Sequence, residues 1–116
     1  MRRTGKSLWL ALLVAGASPW LTAPLHADDT VTLQISVKDH RFEPAEITAP
    51  PGKPIVLKVK NLDATAMEFE SAALRVEKVV AANSEGTFNL RPLQAGKYSF
   101  MDDFHQQTTG TLIVKE

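Results

Sequence analysis

Apolar and polar side chains alternate from Val31 to Val37 and again from Ile55 to Lys60. That period-two pattern predicts two strands with one face buried and one face wet. Between them, Phe42-Glu43-Pro44 and Pro50-Pro51-Gly52-Lys53-Pro54 supply turn residues and remove backbone donors. The connection is therefore expected to be irregular, with one short strand near Glu46 to Thr48. Further short strands are expected at Glu77 to Val80, Thr87 to Leu90, Gly96 to Met101 and Thr111 to Lys115. One helix of a turn or two is expected at Ser71 to Val76, where Ser71 offers a cap. Short strands separated by Pro, Gly and Asn turns predict one all-β domain, an antiparallel sandwich or barrel.

The first residues differ from this pattern. Arg2, Arg3 and Lys6 precede an apolar run from Leu8 to Ala17, too short to span a bilayer and suited to the core of a secretion signal. Residues 1–27 are read as a signal peptide cleaved after Ala27, with Ala23 as the alternative, and residues 28–116 as the exported domain. The residues after the arginine pair lack the continuation of a twin-arginine signal, so ordinary secretion to the periplasm is expected. The exported domain is not expected to span the membrane.

Removal of that segment leaves ten Lys/Arg against thirteen Asp/Glu, a formal charge of −3, with no basic stripe. Nucleic acid is thus not an expected partner. The chain has no cysteine, which excludes disulfides and thiol redox chemistry. Ser36, Ser71, Ser84 and Ser99 lie in no nucleophile-elbow setting, and no Glu-x-x-His pairing of bundle di-iron sites occurs.

The candidate chemistry lies near the end of the chain. Leu93-x-x-Gly96-x-Tyr98-x-Phe100, then His105, then Gly110-Thr111-Leu112-Ile113-Val114 place a histidine between an aromatic strand and a Gly-led closing strand. Together with Phe42-x-Pro44, Pro51-Gly52 and Asn61 closing an alternating strand, this order resembles the cupredoxins over nearly all of the exported domain. The resemblance implies a Greek-key β-sandwich or barrel with at most one short helix. The segments Asn61-Leu62-Asp63-x-Thr65-x-Met67-Glu68-Phe69-Glu70-Ser71, Leu74, Glu77-Lys78-Val79-Val80 and Asp103-Phe104-His105 further resemble the periplasmic cupredoxin-like proteins that accompany bacterial ferrous-iron permeases.

Carried over by position, the resemblance puts the first histidine ligand at Met67, the cysteine at Asp102 and the second histidine at His105. The axial methionine falls near Thr108 or Thr109 and is lost. A blue copper site needs a thiolate, so a type 1 site is excluded. The expected metal set is His105 and Asp102, then Met67 and Glu68, with Glu70, Met101 and Asp103 as outer or alternative ligands. If Phe69 points inward, Met67 does too, and Glu68 and Glu70 face outward. These donors suit copper, with iron as a possible ligand or substrate. His40, with nothing in the sequence to pair it with the later loop, is left out of the set.

Three functions follow as expectations. The resemblance implies a copper protein supporting iron uptake through a ferrous-iron permease system, by electron transfer or Fe(II) oxidation. A copper carrier without turnover and a metal-free interaction module of the transport complex are the alternatives.

Overall fold

The computed structural model describes residues 29–116. The signal-peptide reading of residues 1–27 lies outside the described residues. Nine strands form two sheets. In the first sheet, β1 (Val31–Lys38) runs between β2 (Arg41–Glu43) and β4 (Ile55–Asn61), and β4 pairs in turn with β7 (Ser84–Leu90). The second sheet has the order β3 (Glu46–Ala49), β9 (His105–Val114), β8 (Gly96–Asp102), β5 (Met67–Ser71) and β6 (Val76–Val80). Among the described residues no helix is long and apolar enough to cross a membrane.

The alternation read from the sequence sets the faces. Ile35 and Val37 of β1, Ile55, Leu57 and Val59 of β4, and Leu112 and Val114 of β9 are all buried, while residues between them look outward. Four phenylalanines join the sheets: Phe42 and Phe88 from one, Phe69 and Phe100 from the other. Phe42 meets Phe100 edge-on with centroids 4.9 Å apart, and Phe69 lies 4.8 Å from Phe88 and 5.1 Å from Phe100. Such aromatic pairs add stabilisation beyond the apolar area they bury.

Two expectations need correction. The sheets are mixed rather than antiparallel, because β1 pairs parallel with β4 and β3 pairs parallel with β9. After β1 and β2 the chain crosses to the other sheet as β3, and the proline-rich connection then returns it to the first sheet alongside β1. The helix expected at Ser71 to Val76 is instead a tight turn. Ser71 Oγ does accept the N–H of Leu74 at 3.0 Å, as a cap would, but it also donates to the Ser99 carbonyl at 2.6 Å across the sheet. Arg75 then takes a positive φ of 59°, which ends any helical continuation and starts β6 at Val76. Strands β7 and β9 also begin earlier than their apolar patterns suggested, at Ser84 and His105.

Gly110 leaves room for the Phe100 ring of the neighbouring strand behind the candidate site. A Cβ there would stand 2.4 Å from Phe100 Cε1 and 2.9 Å from the Ala45 carbonyl oxygen. Gly110→Ala should therefore lower stability by about 1–3 kcal/mol, the usual range for overpacking a filled core. Chemical denaturation of the purified protein measures it, and unchanged stability would show that the ring of Phe100 can move aside.

Candidate metal centre

The hairpin between β8 and β9 carries the candidate chemistry, and an irregularity in its pairing shapes it. Met101 pairs with Thr109, yet Asp102 pairs with His105, so Gln106, Gln107 and Thr108 form an extra loop of β9. Bulges of this kind bend a strand and redirect its side chains. Here the bulge turns His105 towards the β1–β2 hairpin.

Asp102 is fully buried. Its Oδ1 accepts the backbone N–H groups of Glu68 and Phe104, both at 3.0 Å, and its Oδ2 lies 2.7 Å from His105 Nδ1. An ionised carboxylate only accepts, so this bond requires the proton on Nδ1 and, in the neutral ring, leaves Nε2 as the unprotonated nitrogen. The ring is 32% exposed. It lines an open depression of about 520 Å³ together with Asp39, His40, Arg41 and the bulge residues Gln106 to Thr108.

The turn that lines the other side of that depression, Asp39 to Arg41, is positioned through a buried amide. Asn61 donates through Nδ2 to the carbonyls of Thr65, Val80 and Ala81 and accepts the N–H of Asp63 on Oδ1. This fixes the loop after β4 and aims Asp63 at the β1–β2 turn. Asp63 accepts the N–H of Asp39 at 2.7 Å and that of His40 at 3.0 Å. Desolvation pulls the Asp63 carboxyl upward, but the donors from His40 and Asp39 outweigh it and hold the group below the ordinary aspartate range. His40 stacks on His105 with ring centroids 4.0 Å apart and planes inclined by 28°. The sequence reading left His40 out because 65 positions separate it from its partner and no spacing rule links them.

The expected four-residue set divides three ways. His105 and Asp102 meet in a hydrogen bond. Met67 points into the core, 1% exposed, opposite Val80. The side chain of Glu68 faces outward, as the alternation predicted, and there joins Glu70 and Asp103. Donor oxygens of these three half-buried groups lie within 4.8 Å of one another. Met101, the register partner of Glu70, stands beside them on the same face. Desolvation raises both glutamates, repulsion from Glu77 and Asp103 adds to it in each, and Glu70 adds further to Glu68. The outer glutamates and the inner histidine meet at the Asp102–Asp103 turn, tied down by the Asp103 N–H to the Glu68 carbonyl at 2.8 Å.

The cupredoxin-like domain profile matches residues 10–114. The chain belongs to the cupredoxin-like domain family. An uncharacterized protein of Rickettsia prowazekii is 39% identical over 90 residues, covering 77% of this chain and 72% of that protein. Among solved structures, the metal-binding domain of the Cu(I)-exporting P-type ATPase CopA of Streptococcus pneumoniae, solved with Cu(I), superposes with a TM-score of 0.70 at 16% identity. The match covers 87% of this chain and all of that one. Reduced auracyanin of Roseiflexus castenholzii gives a TM-score of 0.62 at 15% identity over 74% of this chain and 98% of that one. A purple cupredoxin of Nitrosopumilus maritimus gives 0.54 at 17% identity over 71% and 98%. At such identities the likeness is one of fold.

The donor chemistry decides how far a copper ion suits this end of the fold. At the position that the resemblance assigns to the cysteine stands a carboxylate with three donors already on it, and Met67 is a core side chain. A buried thiolate site is not present. An imidazole oriented by a buried carboxylate and lining an open depression does suit a transition-metal ion such as Cu(II).

The acidic face makes a prediction of its own. A carboxyl raised on folding binds its proton more tightly in the folded chain, so its ionised form destabilises the fold. That loss appears as pH rises through the glutamate range and is relieved as pH falls. Glu70→Gln should therefore have a higher denaturation midpoint than wild type at neutral pH, with the difference closing as the solution is acidified. A variant less stable than wild type at neutral pH would show that Glu70 is held by an attraction.

Proposed function

We propose that this chain is a periplasmic copper-binding cupredoxin of ferrous-iron uptake that accepts an electron from Fe(II) and works beside a ferrous-iron permease. The observation that carries the metal reading is the 2.7 Å bond from His105 Nδ1 to the buried Asp102 carboxylate. A carboxylate behind an imidazole fixes its tautomer and orientation, as it does behind metal-bound histidines generally. His105 would hold a copper ion through Nε2, and that ion would supply a one-electron acceptor that needs no thiolate.

The remaining work falls to the chain's own residues. Asp102 holds the imidazole at a fixed angle, and the N–H groups of Glu68 and Phe104 hold Asp102. Glu68, Glu70 and Asp103 gather negative charge on the adjoining outer face and draw in a divalent cation, with Fe(II) as the substrate. A Cu(II) ion held by His105 would take one electron per Fe(II), becoming Cu(I) as the iron becomes Fe(III). The Asp102–Asp103 turn joins the two, with Asp102 facing the histidine and Asp103 facing the glutamates. The role in iron uptake is supported by the resemblance of the Met67-to-Ser71 and Asp103-to-His105 segments to permease-associated cupredoxins. Export is supported by the basic and apolar start of the chain.

Two variants test this reading. His105→Ala should weaken Cu(II) binding by more than about tenfold, equivalent to about 1.4 kcal/mol. Copper-loaded wild type should oxidise Fe(II) faster than an equal concentration of free Cu(II), and Glu68→Gln/Glu70→Gln should slow it without loss of copper. Tight copper binding with no acceleration would point to a carrier, and folded protein that binds no copper would refute the metal reading.

A further inference from the structure

His40 and His105 come from opposite sheets, and each presents Nδ1 to a different carboxylate. His105 Nδ1 is 2.7 Å from Asp102 Oδ2, and His40 Nδ1 is 3.6 Å from Asp63 Oδ2. The second distance exceeds a hydrogen bond but lies within reach of one after a small ring rotation. The rings lie 4.0 Å apart and open on the same depression. His40 remains 51% exposed, so core packing does not explain why a histidine stands there.

The backbone at His40 strengthens the case. Asp39 and His40 are the two central residues of the β1–β2 hairpin, and both take positive φ, 51° and 58°. A two-residue hairpin turn of this kind favours Asn-Gly, because only small or short polar residues adopt it readily. Aspartate and histidine are among the few non-glycine residues enriched in this conformation, though glycine is the usual residue at the second position. His40 is pinned on both sides: its N–H donates to Asp63, and its carbonyl accepts the hydroxyl of Thr108, which is itself buried in the bulge of β9. Strained residues held this firmly cluster at functional sites. The ring itself stays half-exposed, stacked on His105 and close to the Asp63 carboxylate.

Resting on the reading of His105 as a copper ligand, we propose that His40 is its second imidazole ligand. The pair forms a two-histidine site for Cu(II) at the rim of the sandwich, with Asp63 and Asp102 as the carboxylates that orient the two rings. Asp102 thus acts behind the metal rather than on it. Copper(II) is the ion that a pair of imidazoles with open water positions favours among the divalent first-row metals. Thr108, which stands near the position that the resemblance assigns to an axial methionine, serves the site by fixing the His40 turn.

Titration of the purified protein with Cu(II), read by electron spin-echo envelope modulation, counts the bound imidazoles. Wild type should show two, and His40→Asn and His105→Ala one each. Asparagine suits the left-handed turn, so His40→Asn keeps the hairpin, which circular dichroism and thermal denaturation verify. Its Cu(II) affinity should fall at least tenfold, and Asp63→Asn should lower affinity 10- to 100-fold, the usual effect of removing a group that orients a ligand. One imidazole in wild type, lost in His105→Ala and kept in His40→Asn, would overturn the proposal while leaving His105 as the ligand. An imidazole count unaffected by His105→Ala would overturn the reading beneath it.

Discussion

A fully buried carboxylate at the end of a β-sandwich cannot stand without partners, and the way Asp102 acquires them organises this end of the molecule. Leaving a buried charge unpaired costs several kcal/mol, so each of its oxygens must be matched. One partner comes from β5 through the Glu68 N–H, one from the β8–β9 turn through the Phe104 N–H, and one from the His105 ring. These three bonds tie the central strands of one sheet to the hairpin that carries the histidine. The same residue therefore closes the sandwich and sets the angle of the imidazole.

The position matters because of what lies beneath it. Phe69, the register partner of Asp102, is at the centre of the aromatic cluster that joins the two sheets. The carboxylate thus sits beside this cluster. On the other sheet Asn61 plays the matching part. Its buried amide fixes the loop that aims Asp63, and Asp63 holds the strained turn bearing His40. Two buried polar side chains, one per sheet, each satisfied mainly by backbone groups, hold two exposed imidazoles face to face. Fully satisfied polar groups of this kind confer geometric precision that apolar contacts alone do not.

Much of the fold was legible in the sequence, because burial on one face of a strand leaves a period-two record. Val31 to Val37, Ile55 to Lys60 and Met67 to Ser71 all face as that record implied. Pairing direction was not legible, since parallel and antiparallel neighbours bury the same alternating residues. Ser71 misled for a physical reason: its hydroxyl makes the local bond of a helix cap, while Arg75 closes the turn with a positive φ that no cap signal anticipates. At the site, the position of His105 before a Gly-led strand was readable. The role of Asp102 was readable only in part. Its chemistry as an oxygen donor was plain, but the donors that occupy it arrive from residues as distant as Glu68, across the sheet. His40 left no signal, because its meaning arises from a turn on one sheet meeting a bulge on the other.

The account rests on the direction of a single proton. If Asp102 is the orienting anion of this site, then at a pH where the ring is neutral His105 carries its hydrogen on Nδ1. Long-range nitrogen–proton correlation spectroscopy of the ¹⁵N-labelled protein assigns that tautomer directly. A protonated Nδ1 and an unprotonated Nε2 are the predicted result. The opposite tautomer, with Nδ1 unprotonated and Nε2–H facing the solvent, would mean that Asp102 does not hold the ring and that no ligand nitrogen is presented to the depression.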